Sequence, residues 1–449
     1  MATDEARNDP DRKTAGFPLS DREQARNIVL FAAVWGLVYL AAPVLYVGLV
    51  QAALLEKLGA DKATSNLPAS IVLWMTPVPV LIAWLIPYVR HLKSVVCVAF
   101  LVSTAMGMVV VLALLRPTPN WVIPAVLLHA GALGATNGTI AAFMWELLGR
   151  GVLEARRGHA FSLAFGVGPI LAVIGSLGSQ LVLGGELRWS PVDHLDFRWN
   201  FALLYAASVP ATALAALLVT RMVVPQPSVE PVRQPFFSGI FGGLGEFLRN
   251  RWIATTIIAY LLVYAGYMIL PTMTLYTKTM TGAAAQDYVG YQNALRFGCK
   301  VLAGVFLGWL LTRTHPKANL LVTATLCLAG VLWVLVAPGK WFLLGFGILG
   351  AGELFGVYFP NYVLCCSAKS NMRRNMAFVS LVVTPAGFAP IFYGQIVDGF
   401  ESFRGEKFAF QMSFTAAVVV LIGGILVVLF GLPRRPPPSE LEGDVSHRS

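Results

Sequence analysis

Apolar residues run through this chain in windows of about twenty, the length a helix needs to cross a hydrocarbon core roughly 30 Å thick. The windows fall at roughly 28–50, 69–89, 94–115, 121–148, 160–183, 200–222, 253–276, 288–312, 318–337, 341–367, 376–398 and 409–432. Charged residues or Pro and Gly breaks separate them. The pattern predicts an all-α polytopic membrane protein with twelve transmembrane helices, both termini on the same side.

Between the sixth and seventh windows the texture changes. Pro225-Gln-Pro-Ser-Val-Glu-Pro is a proline-rich break, and Phe237, Ile240, Phe241, Leu244, Phe247 and Leu248 then recur at helical spacing. That stripe suits a helix lying along the membrane surface, with a segment that re-enters the membrane as the alternative. The chain therefore divides into a cytosolic tail (1–27), a six-helix bundle (28–224), a cytosolic linker with an interfacial helix (225–252), a second six-helix bundle (253–432) and a disordered tail (433–449) containing Pro436-Pro437-Pro438. The bundles echo one another. Gly131-Ala-Leu-Gly-Ala-Thr-Asn137 in span 4 aligns with Gly347-Ile-Leu-Gly-Ala-Gly-Glu353 in span 10. Arg156-Arg157-Gly-His-Ala-Phe161 and Arg373-Arg374-Asn-Met-Ala-Phe378 follow at nearly the same offset, which suggests an internal duplication.

Composition narrows the class. A hydrophobic content of 57% with 12% charged residues and a mean hydropathy of +0.69 lie far from a soluble globular chain. The net charge of +10 then reads as loops facing anionic lipid, not as a nucleic-acid footprint. Loops after spans 2, 4, 6, 8 and 10 carry Arg90, Lys93, Arg150, Arg156, Arg157, Arg313 and Lys317 among others, and hold more of the 33 Lys and Arg than the opposite loops. This bias places tails and even-numbered loops in the cytosol, and the membrane is expected to be a bacterial cytoplasmic one. The first 27 residues contain no short apolar core with a cleavage site, so the first span is expected to target the chain. Cys97, Cys299, Cys327, Cys365 and Cys366 sit in apolar windows without zinc-ligand spacing, and they read as small hydrophobes. No cofactor or metal is expected.

Candidate chemistry concentrates in span 8, where Arg296 and Lys300 lie mid-window. A charge at that depth costs at least about 2.5–3.5 kcal/mol, so it defaults to a functional reading, with a structural ion pair as the alternative. Four-residue spacing puts Tyr288, Gln292, Arg296, Lys300 and Gly304 on one stripe. Glu353 is the acidic residue near the middle of span 10, and its small neighbours permit close helix approach, within reach of Arg296 or Lys300. Burial favours the protonated form of such a carboxyl and a neighbouring cation opposes it, so Glu353 is the candidate for proton coupling. Asn137 is its repeat-related counterpart. His129 titrates in a useful range, although a lone histidine on an apolar face also suits ordinary packing.

Two six-helix halves joined by a central linker resemble the major facilitator superfamily. Arg90-His91-Leu92-Lys93 keeps the basic part of that family's loop between spans 2 and 3, without its acid. The echo after span 8 retains Gly308, Arg313 and Lys317, with Thr312 where Asp is expected. Glu154-Ala-Arg-Arg-Gly-His-Ala resembles the loop leading into span 5, and Gly166-Val-Gly-Pro169 is a fragment of the Gly-Pro motif of exchangers. The family's intramembrane Arg in span 4 is absent, with His129 the nearest polar residue.

The resemblance implies that spans 1, 4, 7 and 10 face a central cavity with a site near the midplane. Trp35, Tyr39, Asn137, Tyr260, Tyr264, Tyr267, Gln292, Arg296 and Lys300 are then the expected substrate contacts. Glu353 and His129 are expected to couple protons. Arg90, Lys93, Glu146, Arg156, Arg157, Arg313, Arg373 and Arg374 are expected to gate. Tyr46 and Tyr276, near span ends, read as interface-belt residues. No phosphate-binding glycine loop, zinc-protease pair or nucleophile-elbow serine is present, so the chain reads as a non-enzyme. The expected function is secondary transport of a small organic solute by alternating access. Two cations and one carboxylate sum to +1, which favours an anion. A proton-driven exporter of amphipathic compounds and a transporter-like sensor or lipid-handling protein are the alternatives. Expected partners are the solute, membrane lipid and a proton or other coupling ion, with no nucleic acid, and the chain is expected to be a monomer.

Overall fold

The computed structural model describes residues 18–46, 48–116, 119–184, 195–225, 242–367 and 372–435. Among them there is no β-strand. Span 1 is built from Asp21–Leu40, Ala42–Leu45 and Leu49–Lys57. Spans 2 to 12 are Lys62–Leu85, Val89–Leu115, Val122–Gly151, Ala155–Leu183, Trp199–Thr220, Arg251–Leu275, Ala285–Arg313, Pro316–Val336, Gly339–Cys365, Phe378–Arg404 and Glu406–Gly431, each long and apolar enough to cross a membrane.

Span 1 departs from the expected helix over 28–50. It starts at Asp21, where Ser20 and Glu23 form a reciprocal cap, it breaks on either side of Pro43, and it runs on to Lys57. Gly48 has φ of 148°, a conformation that side chains rarely tolerate. Gln51, just past the apolar window 28–50, repairs the break. Its Oε1 accepts the Gly48 N–H at 3.1 Å and its Nε2 donates to the Val44 carbonyl at 2.9 Å. Irregular backbone at membrane depth survives where protein satisfies it in this way.

Breaks recur in spans 2, 7, 10 and 11. Three of them have a proline at or near the interruption (Pro77, Pro271 and Pro385), whose missing N–H removes a helix bond. Span 10 instead breaks after Gly352, between Leu344–Gly352 and Phe355–Cys365. Glu353 occupies that break.

Among the described residues the expected surface helix is present as Gly243–Arg249. Phe247 is buried and its ring lies 5.6 Å from Phe378, so this residue docks on the second bundle and not on lipid. Phe237, Ile240 and Phe241 lie outside the described residues, as do the tails 1–17 and 436–449. Tyr276 is not an interface-belt residue. It is 2% exposed and packs against Phe342, Phe410 and Phe414, so it belongs to the core of the second bundle.

Described bonds between the bundles gather toward the end opposite the termini. The Asp398 carboxylate at the end of span 11 accepts the Lys62 and Ala63 backbone N–H groups at 3.0 and 2.9 Å. These N–H groups open span 2, where unsatisfied donors and the helix dipole favour an anion. Asn66 donates to Thr272 Oγ1 and to the Pro390 carbonyl. Gln180 of span 5 donates to the Asp287 carbonyl and accepts the Tyr291 N–H of span 8. Gly394 makes the approach possible, since a Cβ there would run into the Ala63 backbone. Deeper in, Thr76 and Thr384 share a hydrogen bond of 2.8 Å.

Candidate functional site

Spans 8 and 10 meet because Gly350 has no side chain. A Cβ at that position would overlap the Arg296 backbone. The same turn of span 10 then presents Glu353 to Arg296. The guanidinium grips the carboxylate with two parallel bonds, Nε to Oε2 at 2.8 Å and Nη2 to Oε1 at 3.0 Å. Lys300, one turn along, places Nζ 3.1 Å from the same Oε1. Charge-assisted bidentate pairs of this kind are the strong ones, and this one is shielded from solvent, with Arg296 side-chain exposure at 6%.

The grip uses one edge of the guanidinium. Arg296 Nη1 is buried and has no protein acceptor. A buried charged donor left unmatched costs more than a neutral one, so the geometry offers a place for an acceptor oxygen. With Lys300 alongside, the three ionised groups carry one net positive charge. Coulomb attraction to an anion is strengthened at such a site, because the effective dielectric is far below that of water.

Aromatic rings frame the cations. The guanidinium lies 5.3 Å from the Phe297 ring and 5.9 Å from Tyr267. Phe297 receives Tyr39 and Tyr46 of span 1, the latter at 5.5 Å, and those two tyrosines stack on each other at 6.0 Å. Tyr264 and Tyr267 of span 7 both abut Phe355 of span 10. Spans 1, 7, 8 and 10 thus meet around one ion group.

Of the expected contacts, Tyr39, Tyr264, Tyr267, Arg296 and Lys300 come together here with Glu353. Trp35 lies one turn from Tyr39, against Phe165. Tyr260 abuts Tyr264 and Phe355 and stacks on Phe359, so it joins the aromatic frame without a ring contact to the cations. Gln292 donates to Thr277 Oγ1 at 2.8 Å. Asn137 donates to the Leu45 carbonyl at 3.1 Å, so it braces span 4 on the break of span 1. His129 is buried in the first bundle, 5.2 Å from Tyr205, with no hydrogen bond to either ring nitrogen. Span 6 is its neighbour, not the ion group.

The expected gating residues bond within one bundle where their bonds are described. Lys93 donates to the Thr220 and Met222 carbonyls, Glu146 pairs with Arg150, Arg156 pairs with Asp21, and Arg157 donates to the Gly149 carbonyl. Arg90 donates to His91, while Arg313 ends span 8 in an exposed position. The side chains of Arg373 and Arg374 lie outside the described residues.

Three residues at the site escaped the sequence reading. Tyr46 is no belt residue, because it caps the short helix Ala42–Leu45 and packs on Phe297. Phe297 itself carried a signal, since it adjoins Arg296. Phe355 carried none beyond its place in an apolar run.

No family model matches the chain, and no curated protein does. Solved structures do. The chain is similar to a D-xylose-proton symporter, with a TM-score of 0.68 and 13% identity over 92% of this chain and 98% of that one. It is similar to the nucleoside transporter NupG (TM-score 0.65, 12% identity, 91% and 99% covered). A bacterial homologue of the human lysosomal transporter Spinster, in an inward-facing and unoccupied conformation, gives 0.64 with 14% identity, 94% and 100% covered. At such identities the likeness is one of fold, and that fold is of the major facilitator type.

Proposed function

We propose that this chain, with its major facilitator fold, is a secondary transporter of a small organic anion working by alternating access. The structural neighbours are transporters of small solutes, which supports the class. The anionic substrate rests on one observation: a buried guanidinium, held at one edge by Glu353 and beside Lys300, retains an unmatched Nη1. A carboxylate on the solute takes that donor. Glu353 competes with the solute for the same cations, so a proton on Glu353 favours loading and its loss favours release.

The cross-bundle bonds support a conformer closed at the end opposite the termini. With cytosolic tails, as the basic loops favour, that conformer opens inward. An impermeant thiol reagent should reach a cysteine placed at Arg156 only after the cells are permeabilised, and labelling of intact cells would reverse the orientation.

Arg296→Gln tests the binding role. It removes the donor, yet Lys300 still pairs with Glu353, so the fold is expected to persist. A panel of carboxylates, amines and neutral solutes should raise the melting temperature of the wild-type chain for carboxylates only, and the shift should vanish in Arg296→Gln. An unchanged carboxylate shift in that variant would remove Arg296 from the site. Arg296→Lys is expected to restore little, because a compact ammonium cannot hold Glu353 and a ligand in the planar fork of Arg.

A further inference from the structure

The ion group leaves unused a cluster of rings on spans 1, 4 and 5. Phe31, Trp35, Trp145, Phe161 and Phe165 gather there. The Trp145 and Phe165 rings are nearly parallel, 14° apart with centroids 5.8 Å apart, and Trp35 lies 5.4 Å from Phe165. Phe31 stands edge-on beneath four of them.

Three features separate this cluster from ordinary packing. Phe31 is fully buried, but Trp145 is 47% exposed, and it lies on the four-residue stripe of span 4 that also carries Asn137, the residue bonded to span 1. Trp35 Nε1 is buried without an acceptor, although buried indole N–H groups usually find one. Span 5 widens to a π-helical turn over Ser162–Val167, and such turns concentrate at functional sites.

The cluster is also continuous with the cations. Phe165 packs against the group formed by Tyr39, Ala42, Ala172 and Phe297, and Phe297 carries the Arg296 guanidinium at 5.3 Å. Apolar packing therefore connects Trp145 and Phe165, by way of the group around Tyr39, to Phe297 and Arg296.

We infer that the transported anion is an arylalkanoate, an aromatic ring joined by a short alkyl chain to a carboxylate. This deepens the anion-transport reading and rests on it. The ring lodges against Trp145 and Phe165, where offset and edge-on contacts at 4.5–7 Å favour a π face over a saturated one. The alkyl chain passes Tyr39, and the carboxylate takes Arg296 Nη1 and Lys300. Trp35 Nε1 supplies a donor for a polar substituent on the ring.

Calorimetric titration of the purified full chain with 4-phenylbutyrate, 4-cyclohexylbutyrate and 4-phenylbutyramide tests this. The phenyl acid should bind roughly five- to tenfold more tightly than the cyclohexyl acid, the size expected of one or two ring–ring contacts, and the amide should not bind measurably. In Trp145→Leu the two acids should bind alike, the phenyl acid having lost its advantage. Trp145→Phe, which keeps a ring, should retain most of the preference. Equal binding of the two acids by the wild-type chain, lost for both in Arg296→Gln, would overturn the aromatic inference and leave the anion reading standing. Absence of binding by either acid would overturn the aromatic inference, and the carboxylate melting panel then decides the anion reading. The wild-type ratio decides the matter even where a variant fails to fold.

Discussion

Glu353→Gln is expected to abolish accumulation driven by a pH gradient while exchange of solute across the membrane persists. In the structure both carboxylate oxygens are engaged, Oε2 by Arg296 and Oε1 by Arg296 and Lys300. An arriving anion competes with them. Two unit charges 4 Å apart interact by about 4 kcal/mol at an effective dielectric constant of 20, so removing the competitor should tighten anion binding by at least about tenfold. Exchange needs only loaded rocking and is retained; net uphill movement needs the proton that Gln cannot take. The variant also leaves buried Arg296 and half-buried Lys300 short of a counter-charge, and breaking a buried pair in this way costs about 3–5 kcal/mol. Its melting temperature should therefore fall and recover in part when a carboxylate is added. Proteoliposome uptake with and without a pH gradient, beside counterflow, reads the split. Full gradient-driven accumulation would exclude Glu353 from coupling, and loss of both activities in a poorly folded protein would mark the pair as structural.

Asp398→Asn is expected to shift the conformational balance toward opening at the end opposite the termini. The carboxylate caps two backbone N–H groups of the other bundle. Hydrogen bonds to a charged group contribute about 1.5–3 kcal/mol, and asparagine keeps one weaker, neutral acceptor. A change of that order alters the ratio of closed to open conformers by about tenfold or more. Lys62 adds further cross-bundle contact through Glu406, at 3.5 Å, while holding Glu56 at 2.6 Å, and this network should remain in the variant. Spin labels on exposed positions flanking Ala63 and Asp398 report the distance directly. A wider, more populated distance in Asp398→Asn is expected, and an unchanged distribution would show that the cap does not hold the bundles together.

The architecture was legible because hydrocarbon demands long apolar windows, and eleven of the twelve appear as such. Span 1 was less so, since Gln51, Glu56 and Lys57 look like the end of a window. Only the fold shows Gln51 turned inward to mend the break at Gly48. The ion group was legible for a related reason: Arg296, Lys300 and Glu353 stand in windows that otherwise exclude charge, so their mutual pairing is the cheapest arrangement. Its aromatic frame was only partly legible. Tyr39 and Tyr267 follow from helical spacing, but Tyr46 reaches the site through a backbone break that periodicity does not register.

Asp398 shows the opposite limit. It stands at the end of an apolar window, where nothing local points to its partners 336 and 335 residues away. Trp145 and Phe165 escaped for a similar reason, since tryptophan and phenylalanine in a membrane span are unremarkable until three helices bring their rings together.

The central claim is that an anion crosses the membrane by way of Arg296. Counterflow of radiolabelled 4-phenylbutyrate into proteoliposomes preloaded with the unlabelled acid addresses it most directly. The wild-type chain should concentrate label transiently, and Arg296→Gln, reconstituted at equal density with an intact melting transition, should lower the initial rate by at least about tenfold, the effect of losing one charge-assisted contact. Equal counterflow in the two proteins, or none in the wild type, would contradict it.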